Sequence, residues 1–240
     1  MINVLIALAI AIACFALGVS VTGGEFIAGF IPALLAFGIS YVMLARRTGK
    51  KFQALMEKVG ASLQKQRLRE AVNLLESARA LGRWQFLIGP QIDAQLGTLA
   101  YLQRDWPKAK KHLSKAWKRD WHAVGMLAAI DYRDGDVTAA VRRMKDAKGA
   151  GKKESVYWAL SIYFLASSKR YDEALTICAQ ALKQLPDNTA LKNLKQAVAN
   201  RKKLKMKPFG QTWYQFFPEH IPQKARMQRP PGRQRSARPR

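Results

Sequence analysis

The chain has 240 residues, 41 Lys and Arg against 16 Asp and Glu, a formal net charge of +25, and 49% hydrophobic side chains. Two cysteines, Cys14 and Cys178, exclude a disulfide framework, and His112, His122 and His220 have no partners at metal-ligand spacing. So strong a basic excess points towards an anionic surface or an acidic partner.

Residues 1–45 contain two uncharged apolar stretches, 2–21 and 26–45, joined by Thr22-Gly23-Gly24-Glu25. A 20-residue helix is about 30 Å long, the thickness of a bilayer's hydrocarbon core. A cleaved secretory signal would need basic residues before its apolar run. None precedes Ile2, and a second apolar stretch follows at once. Eleven Ile, Leu, Val or Phe residues in the first stretch favour insertion by about 3–7 kcal/mol. Two transmembrane helices forming a hairpin are therefore expected. Cys14 and Gly18, Gly29 and Ala33, and Ala36 and Ser40 are small residues four apart, which suits close helix approach. Pro32 is expected to bend the second span, and Tyr41 suits an interfacial position.

The link between the stretches holds Glu25 and no Lys or Arg, whereas Arg46, Arg47, Lys50 and Lys51 make residues 46–51 a basic juxtamembrane segment. Positive residues stay on the cytoplasmic side. Both termini are thus expected in the cytoplasm, with the hairpin in a plasma membrane, taken as bacterial from the compact anchor and cytoplasmic tail.

From residue 52 to 188 the chain reads as successive helices. Four share a pattern: Leu68-Arg-Glu-Ala71, Trp106-Pro-Lys-Ala109, Val137-Thr-Ala-Ala140 and Tyr171-Asp-Glu-Ala174. Leu75, Leu113, Met144 and Cys178 follow four residues after each alanine, and Ala78, Ala116, Ala147 and Ala181 follow seven after it. These spacings lie on one helix face. The first alanines are 38, 31 and 34 residues apart. Residues 189–206 follow as an expected closing helix, with Leu191, Leu194 and Val198 as its stripe, Asn188 or Thr189 as its cap, and Lys202, Lys203 and Lys205 in its last turns.

This pattern, with Leu96-Gly97 and Leu127-Ala128 in leading helices and Leu185-Pro186-Asp187-Asn188 closing the fourth unit, resembles the tetratricopeptide repeat. The first unit is degenerate, keeping only Leu55, Val59 and Leu63 in its leading helix, and the second and third lack the closing proline. An ordinary helical bundle would share the composition but would not need a repeating interval. The resemblance implies an all-α fold: the transmembrane hairpin, a helical solenoid of about four repeats, and a capping helix. It also implies an inner surface that grips a protein or peptide. Gln91, Thr98, Tyr101, His122, Tyr132, Arg133 and Tyr163 are its candidate partner-binding residues. The Lys–Asn set with which some family members hold a partner's terminal carboxylate is missing.

No phosphate loop, nucleophile elbow or metal motif is legible, so neither an enzyme nor a cofactor is expected. Asp134 and Asp136 flank Gly135 as turn residues. Lys108, Lys111 and Lys115 belong to a basic helix that reads first as a solvated face and second as an electrostatic contact. Residues 201–240 carry a net charge of +11, and 207–240 are expected to be mostly disordered. Within them Trp213, Tyr214, Phe216 and Phe217 form an aromatic island that is costly to leave in water. It is expected to dock on the solenoid or the membrane interface, with a linear partner-binding segment as the alternative. The function these features imply is a membrane-anchored, cytoplasmic protein-interaction scaffold. Its partners are a protein or peptide and the bilayer, with anionic lipid or nucleic acid met through the basic tail. The alternative is a membrane-tethered nucleic-acid or ribosome contact through the basic domain and tail.

Overall fold

The computed structural model describes residues 1–21 and 23–220, all of whose regular elements are helical. The chain divides into two compact units, one from Met1 to Ala123 and one from Val124 onward. The disorder expected for 221–240 falls outside the described residues.

In the first unit, helix α1 (Ile2–Val21) pairs with α2 (Phe26–Gln64). Both are long and apolar enough to cross a membrane, and most of their large side chains, among them Leu5, Ile12, Leu17, Phe30, Leu34 and Ile39, are exposed. Their contact surface is built from small residues. Ala7, Ala11 and Ala33 are buried. A Cβ on Gly18 would stand 2.7 Å from the Gly29 Cα, so the two backbones meet where neither carries a side chain.

The basic segment 46–51 is not a separate element. Helix α2 runs through it unbroken for 39 residues, about 58 Å. Arg46, Arg47, Lys50 and Lys51 are sound helix formers, and the single glycine among them, Gly49, is too small a penalty to stop propagation. The stripe of Leu55, Val59 and Leu63 therefore lies on the direct continuation of the second apolar helix.

The next helices are α3 (Leu68–Ser77), the single turn α4 (Arg79–Gly82), α5 (Ile88–Leu102) and α6 (Trp106–Leu113). Helix α7 (Trp121–Arg133) spans the boundary between units. The second unit continues with α8 (Val137–Asp146), the turn α9 (Lys148–Gly151), α10 (Ser155–Ser167), α11 (Tyr171–Gln184) and α12 (Thr189–Ala199). Two 3-10 turns, Lys207–Phe209 and Pro218–His220, flank α13 (Gly210–Phe216).

The four residues read as openers of the recurring helix, Leu68, Trp106, Val137 and Tyr171, are the first residues of α3, α6, α8 and α11. Ala71, Ala109, Ala140 and Ala174 are fully buried, as are Leu75, Met144, Ala78 and Ala181. In the first unit this stripe joins Val59, Ile88, Ile92, Leu96 and Leu99 in one core. A Cβ on Gly97 would come within 2.7 Å of the Leu113 side chain, which is why a small residue stands there.

A second repeat lies in the backbone. Gln66, Arg104, Gly135, Lys169 and Arg201 all have positive φ, between 50° and 89°. Each ends a helix, and the next residue's N–H reaches back five positions: Arg67 to Ser62, Asp105 to Ala100, Asp136 to Asp131, Arg170 to Leu165 and Lys202 to Ala197, at 2.8–3.0 Å. This is the Schellman ending, which satisfies carbonyls the helix leaves open. In two of these turns an aspartate then caps the following helix, Asp105 accepting from Lys108 N and Asp136 from Ala139 N. Asp136 and Gly135 thus play the turn roles read from the sequence.

Helix α12 is shorter than expected. It is capped by Asn188, which accepts from Leu191 N, and ends at Ala199 with the fifth of these turns at Arg201. Lys202, Lys203 and Lys205 lie beyond it, so they do not neutralise its C-terminal end as expected. Residues 207–220 also depart from the disorder expected of them: they form the two turns and α13, with Phe209, Trp213, Phe216 and Phe217 buried.

Candidate functional site

The aromatic island and three of the candidate partner-binding residues meet in the second unit. Tyr132 and Arg133 close α7, and Tyr163 lies on α10. Against them sits the segment from Phe209 to His220. Trp213 and Phe216 are completely buried and Phe217 nearly so, each contributing about 2 kcal/mol or more by leaving water.

The rings form a continuous cluster. Trp213 stacks on Phe217 with centroids 4.9 Å apart, and Phe217 on His220 at 5.2 Å. Tyr163 meets Trp213 edge-on at 5.1 Å and Phe217 at 5.0 Å. Tyr132 stacks on Phe164 at 5.0 Å and turns its edge to Phe217 at 6.3 Å. Offset and edge-on pairs of this kind add to the burial of their area. Phe216 points the other way, onto Gly125 of α7, where a Cβ would stand 2.8 Å from its ring.

Polar contacts fix the register. Arg133 donates to the Phe216 carbonyl at 3.0 Å and to the Glu219 carboxylate at 2.8 Å, and its guanidinium lies 5.0 Å from the centre of the Phe217 ring. One cation therefore satisfies a carbonyl at the end of α13, pairs with an acid and covers an aromatic face. The Trp213 indole N–H donates to Nδ1 of His220 at 3.1 Å. An indole nitrogen can only donate, so that ring nitrogen carries no proton. Burial lowers the His220 pKa, Glu219 opposing and Arg133 reinforcing the shift. Burial raises the Tyr163 pKa, with Tyr132 adding to it.

The other candidates lie elsewhere. Gln91 is exposed, and Thr98 donates to the Ala94 carbonyl at 2.8 Å. Tyr101 is fully buried, edge-on to Trp106 at 5.1 Å, and serves the core of the first unit. His122 lies against Trp121 with ring centres 3.9 Å apart, and its N–H is held by Asp120. Arg46, Arg47, Lys50 and Lys51 on α2, and Lys108, Lys111 and Lys115 in and just after α6, are all exposed. Tyr214 is half-buried beside a groove of about 740 Å³ whose lining includes Lys169, Arg201, Lys202, Lys203 and Lys207 and, among the described residues, no acidic side chain.

One polar constellation was not legible in the sequence. In the first unit Asp93 of α5 accepts from Arg79 at 2.9 Å and pairs with Nδ1 of His112 at 2.9 Å, with Asp93 and His112 both buried. It links α4, α5 and α6. Similarly, the buried Asp131 of α7 pairs with Arg143 of α8. The Cys178 thiol is pushed up to about 11 by burial, which keeps it protonated and unreactive. Among the described residues, no three His, Cys, Asp or Glu side chains converge as a metal site would require. Comparison with models of known protein families and with curated proteins finds no match for this chain.

Proposed function

We propose that the chain is a membrane-anchored scaffold of tetratricopeptide type, working by binding rather than catalysis. The apolar hairpin holds it in a bacterial plasma membrane with both termini cytoplasmic, and the face of α7 and α10 receives a short aromatic segment of a partner protein. The observation that carries this reading is the seating of Trp213 and Phe217 against Tyr132, Arg133 and Tyr163: the face already accommodates a peptide of that kind, its own. Support for the repeat comes from the helix-ending turns at 66, 104, 135 and 169, which recur at the same 38-, 31- and 34-residue intervals as the buried alanines. The resident segment then acts as a built-in competitor, and a partner must displace it or bind beside it.

The test is crosslinking of the full chain in cells, comparing the natural sequence with Trp213→Ala/Phe217→Ala, each with and without nuclease. A defined protein adduct that survives nuclease and rises when the segment is weakened supports the scaffold. Adducts that disappear with nuclease contradict it. They would favour the second reading, nucleic-acid contact, which rests on the five Lys and Arg residues lining the groove beside Tyr214. Such contact would weaken steeply with salt, because each neutralised phosphate releases counterions.

A further inference from the structure

The loop between α4 and α5 presents two large aromatic side chains to solvent: Trp84 is 39% exposed and Phe86 62%. Neither belongs to the repeat pattern or to the site on the second unit. Their position explains them. The Ile2 N–H donates to the Arg83 carbonyl at 3.0 Å and the Asn3 N–H to the Trp84 carbonyl at 3.3 Å, while the terminal amine also reaches the Arg83 carbonyl. The loop is therefore fastened to the free N–H groups at the start of α1.

The level of that fastening can be read from α2. The Asn3 side chain donates to Thr48 Oγ1 at 3.0 Å. Thr48 lies three residues past Ala45, where the uncharged stretch ends, so residues 83–86 stand within about one helical turn of that boundary. On one side are exposed apolar residues such as Leu5 and Val42, and on the other the exposed Arg46, Arg47, Lys50 and Lys51. Aromatic residues with basic neighbours at the edge of an apolar belt are what a bilayer's headgroup region takes up.

We infer that the 83–87 loop is a membrane-interface contact: Trp84 and Phe86 enter the headgroup region of the same bilayer that holds α1 and α2, with Arg83 and the α2 cations facing anionic phospholipid. This rests on the hairpin being membrane-embedded. The consequence is orientation. Because α2 continues rigidly from the apolar stretch to Gln64, a second attachment at the loop fixes the rotation of the first unit about that helix.

The test uses the full chain in vesicles of phosphatidylcholine and phosphatidylglycerol, with Cys14→Ala and Cys178→Ala removing the native thiols. An environment-sensitive fluorophore is placed in turn through Phe86→Cys, Arg83→Cys, Ile39→Cys in the apolar stretch, and Leu102→Cys at the far end of α5. Quenchers are phospholipids with a nitroxide either near the headgroup or deep in the acyl chain. The expected result is stronger quenching at 83 and 86 by the shallow nitroxide than by the deep one, the reverse order at 39, and none at 102. Quenching at 39 with none at 83 and 86 overturns the inference and leaves the anchor standing. No quenching at 39, 83 or 86 overturns both. Chain-to-chain crosslinking through Phe86→Cys, with no lipid quenching there, would assign the loop to a second copy and overturn the inference equally.

Discussion

Arg133 and Phe216, 83 residues apart in sequence, are joined by a 3.0 Å hydrogen bond from the guanidinium to the main-chain carbonyl. The same arginine pairs with Glu219 at 2.8 Å, so a single side chain at the end of α7 holds both the helix end and the turn of the C-terminal segment.

Replacing Arg133 should therefore free the segment without unfolding the unit that carries it. Charged hydrogen bonds contribute about 1.5–3 kcal/mol each. Arg133→Met, which keeps much of the stem, is expected to weaken docking by roughly 2–4 kcal/mol. Hydrogen exchange at residues 209–220 should accelerate while α10 and α11 keep their protection. Unchanged exchange at 209–220 would show that the aromatic burial alone suffices.

Gly125 tests the packing from the opposite side. Alanine is the better helix former by about 1 kcal/mol, but its Cβ would stand 2.8 Å from the fully buried Phe216 ring. In the natural chain the clash should win, and Gly125→Ala should loosen the segment. Combined with Phe216→Ala the same change should become stabilising. A double-mutant cycle read by exchange protection distinguishes the two outcomes, and additive effects would contradict the contact.

Acid should release the segment through His220. Burial holds its pKa below the ordinary 6.5, and Trp213 donates to its unprotonated Nδ1. A group whose pKa is lowered in the docked state stabilises docking fully above its free value and loses that contribution as pH falls towards the docked value. The groups facing His220 are Trp213, Phe217, Tyr163, Glu219 and Arg133. Docking should be pH-independent above about 6.5 and weaken below it. Tryptophan emission, compared between the natural chain and Trp213→Phe, reports the change. His220→Phe should flatten the profile, and an unaltered profile in that variant would assign the titration elsewhere.

The helix-ending turns give a stability prediction. Arg104 has φ near 64°, a region where a Cβ is unfavourable by about 1–2 kcal/mol. Arg104→Gly removes that strain and adds unfolded-state freedom, for a net gain of roughly 0.5–1 kcal/mol. The denaturation midpoint of the purified chain should rise, and a fall would mean that the arginine side chain makes a compensating contact.

Much of this architecture was legible in the spacing of a few residue types. Leu68, Trp106, Val137 and Tyr171 marked helix starts because a large side chain there must pack while the alanine three residues on lets the neighbour close in. Gly18 and Gly29 marked the helix contact for the same reason, small size at helical spacing. The aromatic island was legible as something needing cover, since Trp213 and Phe217 are too apolar to remain wet.

Other features were hidden because they depend on tertiary geometry. Nothing in residues 46–51 distinguishes a linker from a continuing helix. Four of the five recurrent turns use Gln66, Arg104, Lys169 and Arg201, side chains that advertise no left-handed backbone. Tyr101 and Tyr163 look equivalent in sequence, yet Trp106 covers the first while the second faces the C-terminal segment. The link from Asp93 to His112 exists only once α5 and α6 have paired.

The central claim is that the C-terminal aromatic segment occupies the face a partner would use. It is tested most directly with a photoreactive phenylalanine analogue in place of Tyr163, in the full chain in cells. The prediction is an intrachain link to residues 209–220 in the natural background, exchanged for a link to a defined protein when Trp213→Ala and Phe217→Ala weaken the segment. A protein adduct of equal yield in both backgrounds, with no intrachain link in either, would contradict it.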